Sequence, residues 1–169
     1  PEAAREGLER AKAMKPDPFF TPSAHTLIRT GGFDQDLAAV AQCDWIIEAI
    51  LERMDLKLAI HAKIAANARP DALVTTNTSG LSIAGMTKGL LLEYRRRFFG
   101  THFFNPPRYM RLLELTPTPD TDPALLKAFG EFGEAVLGKG IVLAKDTPGF
   151  VANRIGCFDM QQVALLMIE

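Results

Sequence analysis

The residue types best suited to chemistry lie in one stretch, Thr101–Leu115, with the sequence THFFNPPRYMRLLEL. This pattern predicts a strand that ends at His102, a proline-rich corner, and a second strand that carries Glu114. A hairpin-like return of this length brings the Glu114 carboxylate back beside the His102 ring. A histidine held by a carboxylate acts as a general base near neutral pH, because the acid fixes the tautomer and stabilises the imidazolium. The spacing also fits a histidine at a strand end with a solvated glutamate nearby.

The composition is that of an ordinary globular chain. It has 169 residues, 47% of them hydrophobic and 23% charged, which corresponds to one domain or one domain plus a fragment. The net charge of −1 gives no electrostatic argument for binding to nucleic acid. Cys43 and Cys157 lie far apart, so we predict neither a metal site nor a disulfide. The longest apolar runs, such as Val163–Ile168, are too short to span a membrane, and no leader peptide is visible, so we expect a cytoplasmic location.

Strands and helices are predicted to alternate along the chain. The predicted strands are Thr26–Arg29, Asp44–Ala49, Ala72–Thr76, Phe98–Phe103, Leu112–Thr116 and Ile141–Ala144. The predicted helices are Glu2–Met14, a short one capped by Asp34 that runs to Ala41, Met54–Ala68, a helix that Asp122 and Pro123 begin and that runs to Leu137, and Val151–Glu169. This alternation predicts an α/β fold, with a Rossmann-like, mostly parallel sheet covered by helices on both faces. We expect the Asp44–Ala49 strand to be buried on both faces, because it is continuously apolar.

Polar residues follow three consecutive predicted strands at the point where each strand ends. Glu48 closes one strand, Asn77 and Ser79 follow the next, and His102 closes the third. Ligands of parallel α/β sheets lie at the carboxyl ends of the strands, so these residues predict a binding site there. The polar turn is also explained by plain turn formers, and Glu48 by a solvated strand end. We expect His61 to be structural or exposed.

Five segments in a fixed order resemble the NAD-binding domain of the L-3-hydroxyacyl-CoA dehydrogenases. They are Asp44–Ile50 (DWIIEAI), Thr76–Ser79 (TNTS), Gly100–Pro106 (GTHFFNP), Leu113–Leu115 (LEL) and Lys145–Arg154 (KDTPGFVANR). The resemblance covers the chain from about Glu2 onward, and it is closest to the long form of the family, which is fused to a hydratase-like domain. It implies the oxidation of (3S)-3-hydroxyacyl-CoA by NAD in fatty-acid β-oxidation.

The resemblance also implies a role for individual residues. His102 is the catalytic base for the 3-hydroxyl of the acyl-CoA substrate, and Glu114 holds its ring. Ser79 contacts the substrate oxygen or the nicotinamide region, and Asn105 and Asn153 position the substrate, with Asn153 also counted among the catalytic residues. Two of these assignments have structural alternatives, since Asn105 also suits a corner and Asn153 a helix cap.

The remaining cofactor residues implied by the resemblance lie at the ends of the strands Asp44–Ala49 and Ala72–Thr76 and in the helix Met54–Ala68 between them. Glu48 and Asn77, together with Ser79, are expected to contact NAD, and Lys57 is a further candidate. The family's G-x-G-x-x-G turn, which holds the pyrophosphate of NAD, does not occur in this sequence in the required strand-to-helix context.

The domain organisation follows from the same alignment of motifs. Residues 1–149 correspond to a Rossmann-like domain truncated at its N-terminus, and residues 150–169 to the first helix of an all-α substrate and dimerisation domain. We therefore expect a homo-oligomer, formed either by the absent helical domain or by an exposed sheet edge. Two alternatives remain open: the same fold acting on a hydroxy acid without CoA, and a non-catalytic fragment or association module.

Overall fold

Five strands form one sheet whose spatial order follows the order along the chain. The strands are β1 (Trp45–Glu48), β2 (Leu73–Thr76), β3 (Phe98–Phe103), β4 (Leu112–Pro117) and β5 (Gly140–Leu143). β1, β2 and β3 run parallel, β3 and β4 are antiparallel, and β4 and β5 are again parallel. The computed structural model describes residues 2–168. The mostly parallel α/β sheet is the one that the strand–helix alternation predicts.

Six α-helices and two short 3₁₀ helices connect and cover the strands within the described residues. They are α1 (Glu2–Ala13), the 3₁₀ helices Ala24–Leu27 and Leu37–Gln42, α2 (Met54–Asn67), α3 (Ile83–Met86), α4 (Leu92–Arg96), α5 (Pro123–Ala135) and α6 (Ala152–Leu166). The start of α5 is as predicted: the Asp122 side chain accepts a hydrogen bond from the Ala124 N–H, and Pro123 occupies the first turn. Glu169, the predicted last residue of α6, lies outside the described residues. No helix within residues 2–168 is long and apolar enough to cross a bilayer.

Helices pack on both faces of the sheet, as predicted. Phe98 and Phe99 are adjacent in β3 and therefore point to opposite faces. Phe98 joins a core that includes Ile60 and Ile64 of α2, whereas Phe99 joins a second core with Phe129 of α5. Both phenylalanines are fully buried, so β3 lies between the two cores and contributes to each of them.

The segment before β1 differs from its prediction. The predicted strand Thr26–Arg29 is wrong, because Thr26 belongs to a 3₁₀ helix, where its hydroxyl donates to the Ser23 carbonyl at 2.8 Å. Such local side-chain bonds compete with strand pairing. The predicted cap Asp34 is also wrong, since the helix there begins after Asp36, whose carboxylate accepts from the Gly32 N–H at 2.8 Å.

The expectation that the Asp44–Ala49 strand is buried on both faces is wrong. Ile47 is 44% exposed, because β1 is the outermost strand of the sheet and pairs only with β2. An apolar run of strand length cannot distinguish a central strand from an edge strand.

Candidate active site

The antiparallel pairing of β3 and β4 places His102 directly opposite Glu114. The imidazole Nδ1 lies 2.8 Å from Glu114 Oε2, and both residues are buried, at 5% and 0% exposure. Within residues 2–168, Nε2 of His102 has no hydrogen-bond partner. Because a carboxylate accepts the Nδ1 proton, Nε2 is the nitrogen that carries the free lone pair. The pair is thus arranged for proton transfer through Nε2.

The second carboxylate oxygen of Glu114 is bound to the start of α6. Oε1 accepts hydrogen bonds from the Val151 N–H at 3.0 Å and the Ala152 N–H at 2.8 Å. These donors would otherwise be unpaired at the first turn of a helix, and the helix dipole there favours a negative charge. Glu114 therefore joins three parts of the chain: β3, β4 and α6.

Aromatic rings surround the imidazole of His102. The ring of Phe104 lies 4.4 Å away and that of Phe150 lies 5.8 Å away, measured between centroids. Phe150 is 2% exposed. Apolar rings at these positions exclude water from part of the imidazole surface, which strengthens its electrostatic interaction with Glu114.

Asn77 and Asn153 connect the polar turn after β2, residues 77–79, to neighbouring parts of the chain. Asn77 Oδ1 accepts from the Phe103 N–H at 2.9 Å, which joins the ends of β2 and β3. Asn153 Nδ2 donates to the Ser79 carbonyl at 2.9 Å. Ser79 is exposed, so its hydroxyl is accessible at this edge of the sheet. Asn105 is also exposed, in the corner between β3 and β4.

Glu48 and Lys57 form a buried ion pair with a separation of 2.7 Å, and each side chain is 1% exposed. Oε1 of Glu48 also accepts from the Ile50 N–H at 2.7 Å, and Oε2 accepts from the Thr76 hydroxyl at 2.6 Å. Both side chains face the protein interior, and the predicted contact of Glu48 and Lys57 with NAD stays a prediction. The ion pair fastens the end of β1 to β2 and α2.

The electrostatic state of Glu48 follows from these neighbours. Burial raises its pKa, but the polar groups of His61, Lys57, Thr76 and the Ile50 N–H outweigh burial and lower the pKa from 4.5 to about 2. His61 Nε2 lies 3.7 Å from Glu48 Oε2, beyond hydrogen-bond distance, so it acts as a nearby polar group.

Reasoning from the sequence missed Glu52 in this region. Glu52 accepts a hydrogen bond from the Ser79 N–H at 3.0 Å and another from the Thr78 hydroxyl, and it is exposed at the edge where ligands are expected. Its position in the loop directly after β1 is the signal that points to it. His61, which was expected to be structural or exposed, is fully buried, and its Nδ1 lies 2.8 Å from the Tyr94 hydroxyl. The spacing of the two residues in the sequence does not indicate this contact.

The parallel strands and the polar residues at their carboxyl ends define a dinucleotide-binding α/β domain of the Rossmann type, which carries a histidine–carboxylate pair. The sequence profile described as "3-hydroxyacyl-CoA dehydrogenase, NAD binding domain" matches residues 2–147, and the chain belongs to this family. NAD is the cofactor that this family of domains binds.

Individual relatives agree with this assignment. A probable 3-hydroxyacyl-CoA dehydrogenase of Deinococcus radiodurans is 43% identical over 155 residues, which cover 92% of this chain and 45% of the relative. A probable 3-hydroxyacyl-CoA dehydrogenase of Bacillus subtilis is 40% identical over 157 residues, covering 93% of this chain and 20% of the relative. The crystal structure of 3-hydroxybutyryl-CoA dehydrogenase from Escherichia coli superimposes with a TM-score of 0.76 at 29% identity, over 91% of this chain and 33% of that one. The chain thus spans less than half the length of these relatives.

The carboxyl edge of the sheet carries polar side chains but no glycine-rich turn within residues 2–168. Ser79 and Glu52 are exposed polar residues at this edge, and Glu52 Oε2 also lies 3.4 Å from Lys57 Nζ. A pyrophosphate needs backbone N–H groups at a glycine-rich turn that opens a helix, and residues 2–168 contain no such turn.

Proposed function

We propose that this domain forms part of a dehydrogenase that oxidises (3S)-3-hydroxyacyl-CoA to 3-oxoacyl-CoA in fatty-acid β-oxidation. The buried His102–Glu114 pair, with its 2.8 Å contact beside the carboxyl ends of the parallel strands, carries this proposal. The names of the relatives in D. radiodurans and B. subtilis support the substrate class.

His102 is the general base of the proposed reaction. Its Nε2 takes the proton of the substrate's 3-hydroxyl, and the positive charge that develops on the ring faces the Glu114 carboxylate. Bound NAD⁺ supplies the acceptor for the hydride that leaves C3 of the substrate. In the reverse direction, the imidazolium returns its proton to the oxygen at C3. A base positioned in this way contributes about 10²–10⁴ in rate.

Polar residues around the pair complete the proposed site. The accessible Ser79 hydroxyl donates to the substrate oxygen or to the nicotinamide region, and Asn105 and Asn153 position the substrate. Asn153 also holds Ser79 through its 2.9 Å bond to the Ser79 carbonyl. Asn77 acts on the cofactor side by fixing the turn after β2.

We further propose that α6 opens a helical domain that forms the substrate cleft and the oligomer interface. The family profile ends at residue 147, just before α6 begins at Ala152. Large apolar side chains on α6 are exposed, among them Ile155 at 58%, Phe158 at 60% and Val163 at 58%. An interface is the usual explanation for such a surface.

The test is NADH oxidation with a short 3-oxoacyl-CoA, performed with the protein at its full natural length. We expect turnover that depends on the thioester and is largely lost in His102→Ala. Turnover with the corresponding free 3-oxo acid alone would support the alternative of a hydroxy acid without CoA. Failure to bind NADH or to turn over either substrate would support a non-catalytic role.

A further inference from the structure

Both ends of the segment Asp146–Asn153 form hydrogen bonds with residues that follow β2. The Asp146 carboxylate accepts hydrogen bonds from the Ile83 N–H at 2.8 Å, the Ala84 N–H at 2.9 Å and the Ser82 hydroxyl at 3.1 Å. Asn153 is the other end, and its amide reaches the Ser79 carbonyl. A carboxylate more than sixty residues away in sequence thus pairs the free N–H groups of the short helix α3.

The middle of the same segment contacts the His102–Glu114 pair. The N–H groups of Val151 and Ala152 donate to Glu114 Oε1, and the buried Phe150 ring lies beside His102. One continuous stretch of eight residues therefore touches the Ser79 turn and the catalytic pair at once.

The backbone of this stretch adopts a conformation that few side chains tolerate. Gly149 has φ = 74° and Phe150 has φ = 47°, both in the left-handed region. A bulky residue with such a φ is uncommon, and it persists only where its surroundings determine it. The left-handed turn leads directly into the two N–H groups that bind Glu114.

The two turns also approach each other through their backbones. A Cβ atom added at Gly80 would lie 3.0 Å from the backbone N of Gly149, which is closer than ordinary contact. Gly80 directly follows Ser79, so a side chain at position 80 would push the Ser79 turn and the Asp146–Asn153 segment apart.

We propose that Asp146–Asn153 is a positioning element that sets the placement of Ser79 relative to the His102–Glu114 pair. It orients the pair by donating to Glu114 from Val151 and Ala152, and it holds the Ser79 turn through Asp146, Asn153 and the Gly80–Gly149 approach. This inference rests on the proposed function. None of these positioning contacts requires the segment to touch the reacting atoms.

Two glycine substitutions with matched controls test this proposal in the protein at its full natural length. Gly80→Ala separates the two turns, and Gly130→Ala is its control, because a Cβ there meets only Leu115 at 3.9 Å. Gly149→Ala adds a side chain at φ = 74°, and Gly138→Ala is its control, with φ = 65° and nothing within 4 Å. We expect kcat to fall about ten- to hundredfold in Gly80→Ala and Gly149→Ala, and less than about twofold in the controls, because small displacements of reacting groups have effects of this size.

Two readouts separate positioning from a loss of folded protein. First, we expect kcat per folded enzyme to fall more than KM rises, while the unfolding midpoint of Gly149→Ala stays near that of its control, Gly138→Ala. Second, we expect amide hydrogen exchange at Val151 and Ala152 to become faster in Glu114→Gln and in Gly80→Ala. Unchanged kcat in an active Gly80→Ala enzyme, or unchanged exchange at both amides, would overturn the proposal. If the wild-type protein is inert towards 3-oxoacyl-CoA, the proposed function fails, and the exchange measurement still decides whether the contacts hold Glu114.

Discussion

Two buried acid–base pairs involve residues of the same sheet, and their separations are nearly equal. Lys57 Nζ is 2.7 Å from Glu48 at the end of β1, and His102 Nδ1 is 2.8 Å from Glu114 between β3 and β4. The two pairs differ in whether a polar atom is left without a protein hydrogen-bond partner. Both oxygens of Glu48 are occupied by protein donors, and the Lys57 ammonium is 1% exposed, whereas His102 keeps Nε2 without a partner among residues 2–168.

Under the proposed function, this difference separates a structural pair, Lys57–Glu48, from a catalytic pair, His102–Glu114. A buried pair whose polar atoms are all satisfied holds its elements together and has no group available for a substrate. A buried histidine with one nitrogen held and the other free is prepared to accept a proton there. Burial and short distance alone therefore do not identify a catalytic pair. The comparison leads to four predictions, in order of decreasing expected effect.

Removing the free nitrogen should abolish most of the proposed activity. In His102→Ala, we expect kcat per folded enzyme to fall by about 10²–10⁴, because the proposed general base is lost. Steady-state kinetics measures kcat, and denaturant unfolding of the same preparation gives the folded fraction. A kcat within a few-fold of wild type would assign His102 to structure and remove the distinction between the two pairs.

Removing the cation of the other pair should act on stability. Lys57→Met leaves Glu48 buried without its partner, and we expect the free energy of unfolding to fall by about 3–5 kcal/mol. The double variant Glu48→Gln with Lys57→Met should recover part of this loss, because it leaves no uncompensated charge. Equal stability of the single variant and the wild type in urea denaturation would show that the pair does not hold β1 to α2.

The stability contributed by Glu48 should depend on pH. Its pKa in the folded protein is lowered from 4.5 to about 2, so the contribution is fully present above pH 4.5 and is lost as the pH falls towards 2. We therefore expect the stability difference between wild type and Glu48→Gln to shrink across this range. Unfolding curves of both proteins at several pH values measure it, and a difference that stays constant down to the lowest pH would contradict the assignment.

An equally short pair on the surface should contribute least. Arg53 Nη2 lies 2.6 Å from Asp55 Oδ2, but both side chains are more than 60% exposed. We expect Asp55→Ala to leave the unfolding midpoint nearly unchanged, because solvent screens exposed ion pairs. A loss comparable with that of Lys57→Met would mean that distance, and not burial, determines the strength of these pairs.

The parts of the fold that could be predicted are those governed by local patterns. β3 and the return to β4 follow from apolar runs on either side of a proline-rich corner, and the start of α5 follows from Asp122 before Pro123. The prediction for Thr26–Arg29 failed because local hydrogen bonds outweighed a short apolar run. The exposure of Ile47 was not predictable either, since whether a strand lies at the edge depends on the order of the whole sheet.

The sequence by itself determined that two strands flank a proline-rich corner, and it predicted that His102 and Glu114 meet across the return, with a solvated glutamate as the open alternative; the register of β3 and β4 decided for the contact. Only the tertiary structure decided what else Glu114 binds. Its second oxygen meets the N–H groups of Val151 and Ala152, which lie 37 and 38 residues further along the chain. No periodicity links residues at such a separation, and their contact exists only because α5, β5 and the left-handed turn at Phe150 bring α6 back to the sheet.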